Sequence, residues 1–384
     1  MINGEWAAVR VVVCPDKFAG TLTAVEAAGA IADGWCAVAP GDELVVRPVA
    51  DGGPGFVEVL HASLGGELVD VPTTDPLGRP VTGRVLIVGD TAYVESAHAC
   101  GLHHLAAHER DPKITTTAGL GALVNAAAGA GARRAVIGLG GSGTNDAGAG
   151  MLSSLGLIAY DASNVVLLPG GAALRACVDI AGAVRLPAGF ELVGASDVDN
   201  PLTGPDGASA VFGPQKGAAP ADVAVLDAAL SHWAALLEQG LPGCPKGLAE
   251  MPGGGAAGGL GAAILALGGR IISGIDLVRD QTGLDAALSG ADLVITGEGS
   301  FDHQSLRGKV IAGVAGAARD LGIPCVVLAG RVTTGRREQG TAGVTEAYSL
   351  VDHLGSIDLA MAEPARGLRE LASRLARQYS RDAK

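Results

Sequence analysis

Lysine is scarce in this 384-residue chain: it stands only at positions 17, 113, 216, 246, 309 and 384, and arginine supplies most of the positive charge. The net charge is -13 and no basic patch is visible, which argues against a nucleic-acid surface, since neutralising phosphates takes clustered Lys and Arg. Any anionic ligand must then be held locally, and each lysine merits inspection. Aromatic residues make up only 3%, so the core must be built from Ala, Val, Leu and Ile. The six cysteines (14, 36, 100, 177, 244, 325) are widely spaced with no C-x-x-C pair, a pattern that suits buried thiols in a reducing cytoplasm better than disulfides or zinc. The uncharged stretch GGGAAGGLGAAILALGG is too short and too rich in glycine for a membrane span. The opening MINGEWAAVRVVVCPDK has an early Glu and no apolar h-region, so no signal peptide is expected and the expected setting is cytoplasmic. Also absent are G-x-x-x-x-G-K-[ST], the H-R-D and D-F-G set, and the G-x-S-x-G elbow, which removes the P-loop, protein-kinase and α/β-hydrolase frameworks.

What the chain has in excess is glycine: 60 residues, about twice the usual share of roughly 7%. With 48% hydrophobic and 17% charged residues it is a folded protein, long enough for two domains. VRVVVCPDKF and ELVVRPVADGG alternate with the helical stretches TLTAVEAAGAIADGWCAVA, where a Thr can cap, and FVEVLHASLG. This βαβα start predicts a doubly wound parallel sheet, whose ligands gather beyond the carboxyl ends of the strands. From about residue 66 the texture changes to short alternating strands, GELVDVP, GRPVTGRVLIVGD and TAYVESA, which predict antiparallel hairpins. After LDAALSGA the βαβ rhythm returns with ADLVITGEG, CVVLAG, EAYSLVD and a final helix near 357 to 379. The expectation is an α/β protein of two α/β domains: a discontinuous, Rossmann-like domain of residues 1–65 plus 285–384, with a mixed α/β domain of residues 66–284 inserted in it.

Chemistry concentrates in a few turns. GLGGSGTNDAGAG, 138–150, lies between the strand RRAVI and MLSSLGL, which has the look of a helix, so its amides at Gly140, Gly141 and Ser142 could cradle phosphate at a helix start. The same residues fit G-x-G-x-x-G, with Asp161 where a ribose-binding acid would be sought, so a dinucleotide reading stays open. Thr144, Asn145 and Asp146 either cap the helix or, for Asp146, serve a metal beside phosphate. In ASDVDNPLTG, Asp197 and Asp199 would point to one side of an extended strand; two such carboxylates call for a shared proton or a cation, and Mg²⁺ is the economical answer. One of them could instead accept a substrate hydroxyl proton, or the stretch could be an Asx-turn before Pro201. TGEGSFDHQSLRGK brings Glu298, Asp302, His303, Arg307 and Lys309 near a strand end, as metal or anion ligands or as a solvated loop. PDKFAGTLTA offers Asp16 and Lys17, VADGG offers Asp51, and VFGPQKG offers Gln215 and Lys216. His98, His103, His104 and His108 match no zinc spacing and are taken as structural.

In order along nearly the whole chain, the blocks PDKFAGTLTA, VADGG, TTTAGLG, GLGGSGTNDAGAGM, SDVDNPLTGPDGASAVFGPQKGA, GGGAAGGLGA, ADLVITGEGSFDHQSLRGK and VVLAG resemble the bacterial glycerate kinase family. The resemblance implies ATP-dependent phosphorylation of D-glycerate, typically at the 2-hydroxyl, in a cleft between two α/β domains. It departs where ADGGPG replaces the commoner ADGGEG at Pro54, where Ala19 replaces Lys, and in GSGTNDAG and ESAHACGL. The roles expected are catalytic for Asp197, Lys17 and Asn145, and magnesium-binding for Asp199, Glu298 and Asp146. Substrate or nucleotide binding is expected of Asp16, Asp51, Gly140, Gly141, Ser142, Thr144, Gln215, Lys216, Asp302 and Lys309. ATP and Mg²⁺ are the expected cofactors, glycerate the partner, and a monomer or homodimer the assembly. The rival readings are an NAD(P)-dependent oxidoreductase of a small hydroxy acid and a non-catalytic sugar-acid sensor.

Overall fold

The computed structural model describes residues 8–303, 305–306 and 310–380. Its strands are β1 (Arg10–Val13), β2 (Glu43–Val46), β3 (Glu67–Thr74), β4 (Pro80–Val88), β5 (Thr91–Glu95), β6 (Arg134–Gly138), β7 (Leu157–Tyr160), β8 (Asp179–Gly182), β9 (Glu191–Ala195), β10 (Arg270–Ile272), β11 (Leu293–Phe301), β12 (Cys325–Val332) and β13 (Glu346–Ser349). Contacts divide the chain into two compact units. Unit 1 comprises Met1–Ala50, Glu58–Leu64 and Ile275–Lys384; unit 2 comprises Asp51–Val57 and Gly65–Gly274.

Unit 1 is built on a five-stranded sheet, β13-β12-β11-β1-β2, with every neighbouring pair parallel. Its inner strands are runs such as Val11–Val13 and Leu293–Ile295 with no exposure, as a sheet covered on both faces requires. The helix Ala24–Cys36 starts in a capping box of Thr23 and Glu26, so the Thr anticipated as a cap performs that role. Where one final helix was expected there are two, Ile357–Ala362 and Pro364–Tyr379; Pro364 has no N–H to continue a helix and instead opens the second. Strand order reverses between β1 and β11, since the chain moves from β1 outward to β2 and later from β11 outward to β13. That reversal is where open α/β sheets bind ligands.

Unit 2 has a six-stranded sheet, β10-β9-β6-β5-β4-β3. Strands β3, β4 and β5 form the antiparallel hairpins anticipated, while β5, β6, β9 and β10 run parallel. Its core packs Leu120, Leu123, Ile137, Met151, Trp233 and Leu260, each worth about 1.5–3 kcal/mol if fully buried. Strands β7 and β8 pair as a separate ribbon that the sequence reading did not distinguish. The protein is thus α/β, with one parallel and one mixed sheet. Among the described residues no helix is long and apolar enough to cross a membrane.

Candidate active site

In unit 1 the anticipated residues gather where the strand order reverses. The loop after β1 is tied to β11 by the Asp16 amide, which donates to the Gly297 carbonyl at 2.8 Å. The buried Asp16 carboxylate accepts the Lys17 amide at 2.7 Å, and the Lys17 Nζ lies 3.6 Å from the same oxygen. Glu298 sits half-buried on β11, opposite Ala329 of β12. Next to it, a Cβ on Gly299 would stand 3.1 Å from the Ala19 nitrogen, so the β1 loop runs close over this strand end. Asp302 closes the strand by a turn: its amide donates to Ser305 Oγ at 3.1 Å and its Oδ1 accepts the Ser305 amide at 3.3 Å. Arg307 and Lys309 lie outside the described residues.

In unit 2 the carboxyl ends of β5, β6, β9 and β10 form a continuous rim. Ser96 donates to the Gly138 carbonyl, Leu139 to Ala195 and Ser196 to Ile272, each at 2.9–3.0 Å. Across this rim lies the turn of residues 51–55, fastened by a 3.0 Å bond from the Gly140 amide to the Gly52 carbonyl. Gly52 has φ +84°, and a Cβ there would stand 2.6 Å from the Ala195 carbonyl oxygen, so neither conformation nor space admits a side chain. The Asp51 carboxylate accepts the Gly53 amide at 3.0 Å. Asp197 follows β9 and is exposed; its Oδ1 accepts Ser273 Oγ and the Gly274 amide, both at 2.8 Å. Asp199 is also exposed, and its carbonyl accepts the Gly253 amide at 3.0 Å. Because β9 ends at Ala195, strand alternation does not govern where these two carboxylates point, which corrects the sequence argument.

The glycine-rich turn also differs from its reading as a phosphate loop opening a helix. The helix that follows spans only Ala149–Ser154, well beyond Gly143, so the G-x-G-x-x-G spacing does not meet a helix start. The anion at that start belongs to the protein. Asp146 is buried, and its carboxylate accepts the Gly148 and Gly150 amides, the Thr117 amide, and the Thr116 and Thr117 hydroxyls at 2.8–3.3 Å. Burial outweighs the bonds from Thr117, Gly150 and Gly148 that pull the other way, so its pKa is raised above the ordinary carboxylate value.

Beside it, Lys216 is buried under the turn; its Nζ donates to the Thr144 carbonyl at 2.7 Å and to Ser142 Oγ at 2.9 Å. Burial pushes its pKa down to about 7 against the opposing fields of Asp146 and Cys100. Asn145 Nδ2 donates to Ser209 Oγ at 2.9 Å. Asn145 Oδ1 and Thr144 Oγ1 are buried with no partner among the described residues, which leaves an unmet demand for hydrogen bonds in this pocket. Gly141 is exposed on the turn, Gly140 is half-buried against Gly53, and Gln215 is exposed on the short turn Pro214–Lys216.

The structure therefore groups Asp51, Gly140, Gly141, Ser142, Thr144, Asn145, Asp146, Asp197, Asp199, Gln215 and Lys216 in unit 2, and Asp16, Lys17, Glu298 and Asp302 in unit 1. Sequence reasoning missed Thr116, Thr117, Ser209, Ser273 and Glu95. The run Thr115–Thr117 just before a helix was a signal for the first two; nothing local marks the others.

The sequence matches the model of the glycerate kinase family over residues 11–380. The chain belongs to the glycerate kinase family. A glycerate kinase of Bacillus subtilis is 42% identical over 89% of this chain and 90% of its own length. A glycerate 2-kinase of Escherichia coli is 40% identical over 91% and 92%. A solved glycerate kinase 2 of Salmonella typhimurium LT2 superposes with a TM-score of 0.80, at 38% identity, over 97% of this chain and 98% of that one. Membership makes this protein a kinase and implies ATP as its co-substrate.

Proposed function

We propose that this kinase transfers the γ-phosphoryl group of ATP to the 2-hydroxyl of D-glycerate. Its likeness to the E. coli glycerate 2-kinase supports the substrate and the position. The observation that carries the mechanism is Asp197: an exposed carboxylate at the rim formed by the parallel strands of the mixed sheet, whose Oδ1 accepts Ser273 Oγ and the Gly274 amide. Phosphoryl transfer needs positioning and charge more than covalent chemistry. On this reading Asp197 orients the attacking hydroxyl and accepts its proton, and the turn of Gly140, Gly141 and Ser142 takes up phosphate. Lys17 and Lys309 set positive charge on phosphate or on the substrate carboxylate. Asp16, Asp51, Gln215, Asp302 and the Thr144–Asn145–Lys216 pocket contribute further polar contacts.

Among the described residues no three His, Cys, Asp or Glu side chains form a metal cage. The exposed Asp199 and the half-buried Glu298 are carboxylates of the kind Mg²⁺ takes, since it binds through one or two carboxylates and otherwise through water and phosphate oxygens. Each is a candidate ligand within its own unit, and bound Mg²⁺ would neutralise charge on the phosphates. Asp146 we assign instead to holding the glycine turn, because its oxygens already accept five hydrogen bonds. A cytoplasmic setting and a monomer or homodimer accompany this reading.

Phosphorus NMR of the product formed from ATP and D-glycerate tests it. The expected signal is that of 2-phosphoglycerate, with ADP formed only when glycerate is present. A 3-phosphoglycerate product would overturn the position, and ADP release independent of glycerate would overturn the substrate.

A further inference from the structure

Glu95 is the last residue of β5 and is only 4% exposed. It pairs in register with Gly138, so it stands beside the start of the glycine turn. A buried carboxylate must be compensated, and its partners among the described residues include Gly55 and His98. The Gly55 amide donates to its Oε2 at 2.9 Å, and His98 Nε2 lies 3.9 Å from its Oε1.

Gly55 ends the turn that carries Asp51. That turn is fastened at the Gly53 amide by Asp51 itself, at the Gly52 carbonyl by the Gly140 amide, and at the Gly55 amide by Glu95. Between the last two anchors stands Pro54, which has no amide to offer. A Cβ on Gly141 would lie 2.7 Å from the Pro54 Cγ, so the proline ring rests on the glycine turn. A shift of Gly55 would be passed through this ring to Gly141 and, along the turn, to Asp51.

We infer that Glu95 is a positioning residue: through the Gly55 amide, its carboxylate fixes the Asp51–Gly55 turn against Gly140–Ser142 and so sets where Asp51 meets substrate. The inference rests on the reading of this rim as the site of glycerate phosphorylation. It assigns Glu95 no contact with reacting atoms. What matters is an acceptor oxygen at the right place, more than its charge.

The test compares Glu95→Ala, Glu95→Asp and Glu95→Gln in the full-length protein, by steady-state kinetics and by amide hydrogen exchange at Gly55. Ala removes the acceptor and Asp withdraws it by one methylene. Both are expected to lower kcat/KM for glycerate by roughly 10- to 100-fold, mainly through KM, as misplacement of a binding group does. Both should also speed exchange at Gly55. Gln keeps an oxygen in place and should restore both readouts to within about threefold of wild type, since the hydrogen bond survives. Should Ala fail to fold, the Asp and Gln pair carries the same comparison. Wild-type kinetics and exchange in Glu95→Asp overturn the inference. So does a Gln variant as inactive as Ala with KM unchanged, which would put the carboxylate in the chemistry itself. If the wild-type protein does not phosphorylate glycerate, the function falls, while exchange at Gly55 still decides whether Glu95 anchors the turn.

Discussion

Asp146 and Asp197 show how the same side chain is given opposite work by its surroundings. Asp146 is sealed among five donors and organises backbone; Asp197 is exposed, and its Oδ1 accepts Ser273 Oγ and the Gly274 amide. Asp197→Asn keeps a carbonyl for Ser273 and Gly274 but removes the charge. On the proposed mechanism kcat should fall by roughly 10²–10⁴-fold, as for loss of a general base. The melting midpoint should stay within about 2 °C, because surface changes of this kind seldom move stability. Wild-type turnover in this variant would remove Asp197 from the mechanism. Lys216 makes a prediction about pH. Burial, its largest influence, lowers its pKa to about 7, against the weaker opposing fields of Asp146 and Cys100, so between about 7 and its ordinary value of 10.5 the unfolded chain binds more protons than the folded one. Stability from this group therefore rises with pH across that window, by up to about 1.4 kcal/mol per unit, and is lost as pH falls toward 7. Urea unfolding of wild type and Lys216→Met at pH 7 and pH 9 should show the wild type gaining on the variant at the higher pH; a constant difference would mean that the lysine stays charged throughout.

At the scale of elements, two glycine-rich segments turn out to be one contact. The helix Ala256–Ala266 opens with Ala257, Gly258 and Gly259 in left-handed conformation. Gly258 has φ +68°, and a Cβ there would lie 2.0 Å from the Thr144 carbonyl oxygen that Lys216 also binds. Gly258→Ala should cost about 2–4 kcal/mol, from left-handed strain plus overpacking. Gly20→Ala, at φ +81° with open space around it, should cost only about 1–2 kcal/mol. Equal midpoint shifts in urea for the two variants would refute the close approach. This pair also marks what a sequence can disclose. Buried strands such as Arg10–Val13 and helices such as Ala24–Cys36 were legible because apolar period and caps are local signals. The break before Pro364 is also a local signal, yet a single helix was expected across it. Three of the five hydrogen bonds to Asp146 come from Thr116 and Thr117, about thirty residues away, and the floor beneath Thr144 comes from Gly258; no local pattern encodes such partners. The direction of Asp197 escaped for a related reason, since it depends on where β9 stops.

At the scale of the molecule, unit 1 is assembled from three separate stretches of chain, and its last helix packs on its first. Ser373 Oγ donates to the Gly34 carbonyl at 2.7 Å, and a Cβ on Gly34 would lie 2.3 Å from the Arg369 carbonyl oxygen. Leu368, Leu371 and Leu375 of the final helix are buried in the core that holds Trp35. At about 1.5–3 kcal/mol for each leucine, the three contribute about 5–9 kcal/mol, comparable with the whole stability of an ordinary domain. Removing the chain from residue 364 onward should therefore unfold unit 1. With Trp6 and Trp233 replaced by Phe, Trp35 emission should shift to the red and become open to quenching by iodide. With Trp6 and Trp35 replaced instead, Trp233, buried in the core of unit 2, should keep its blue emission. Unchanged Trp35 emission after the truncation would show that the parallel sheet holds without the helix that covers it.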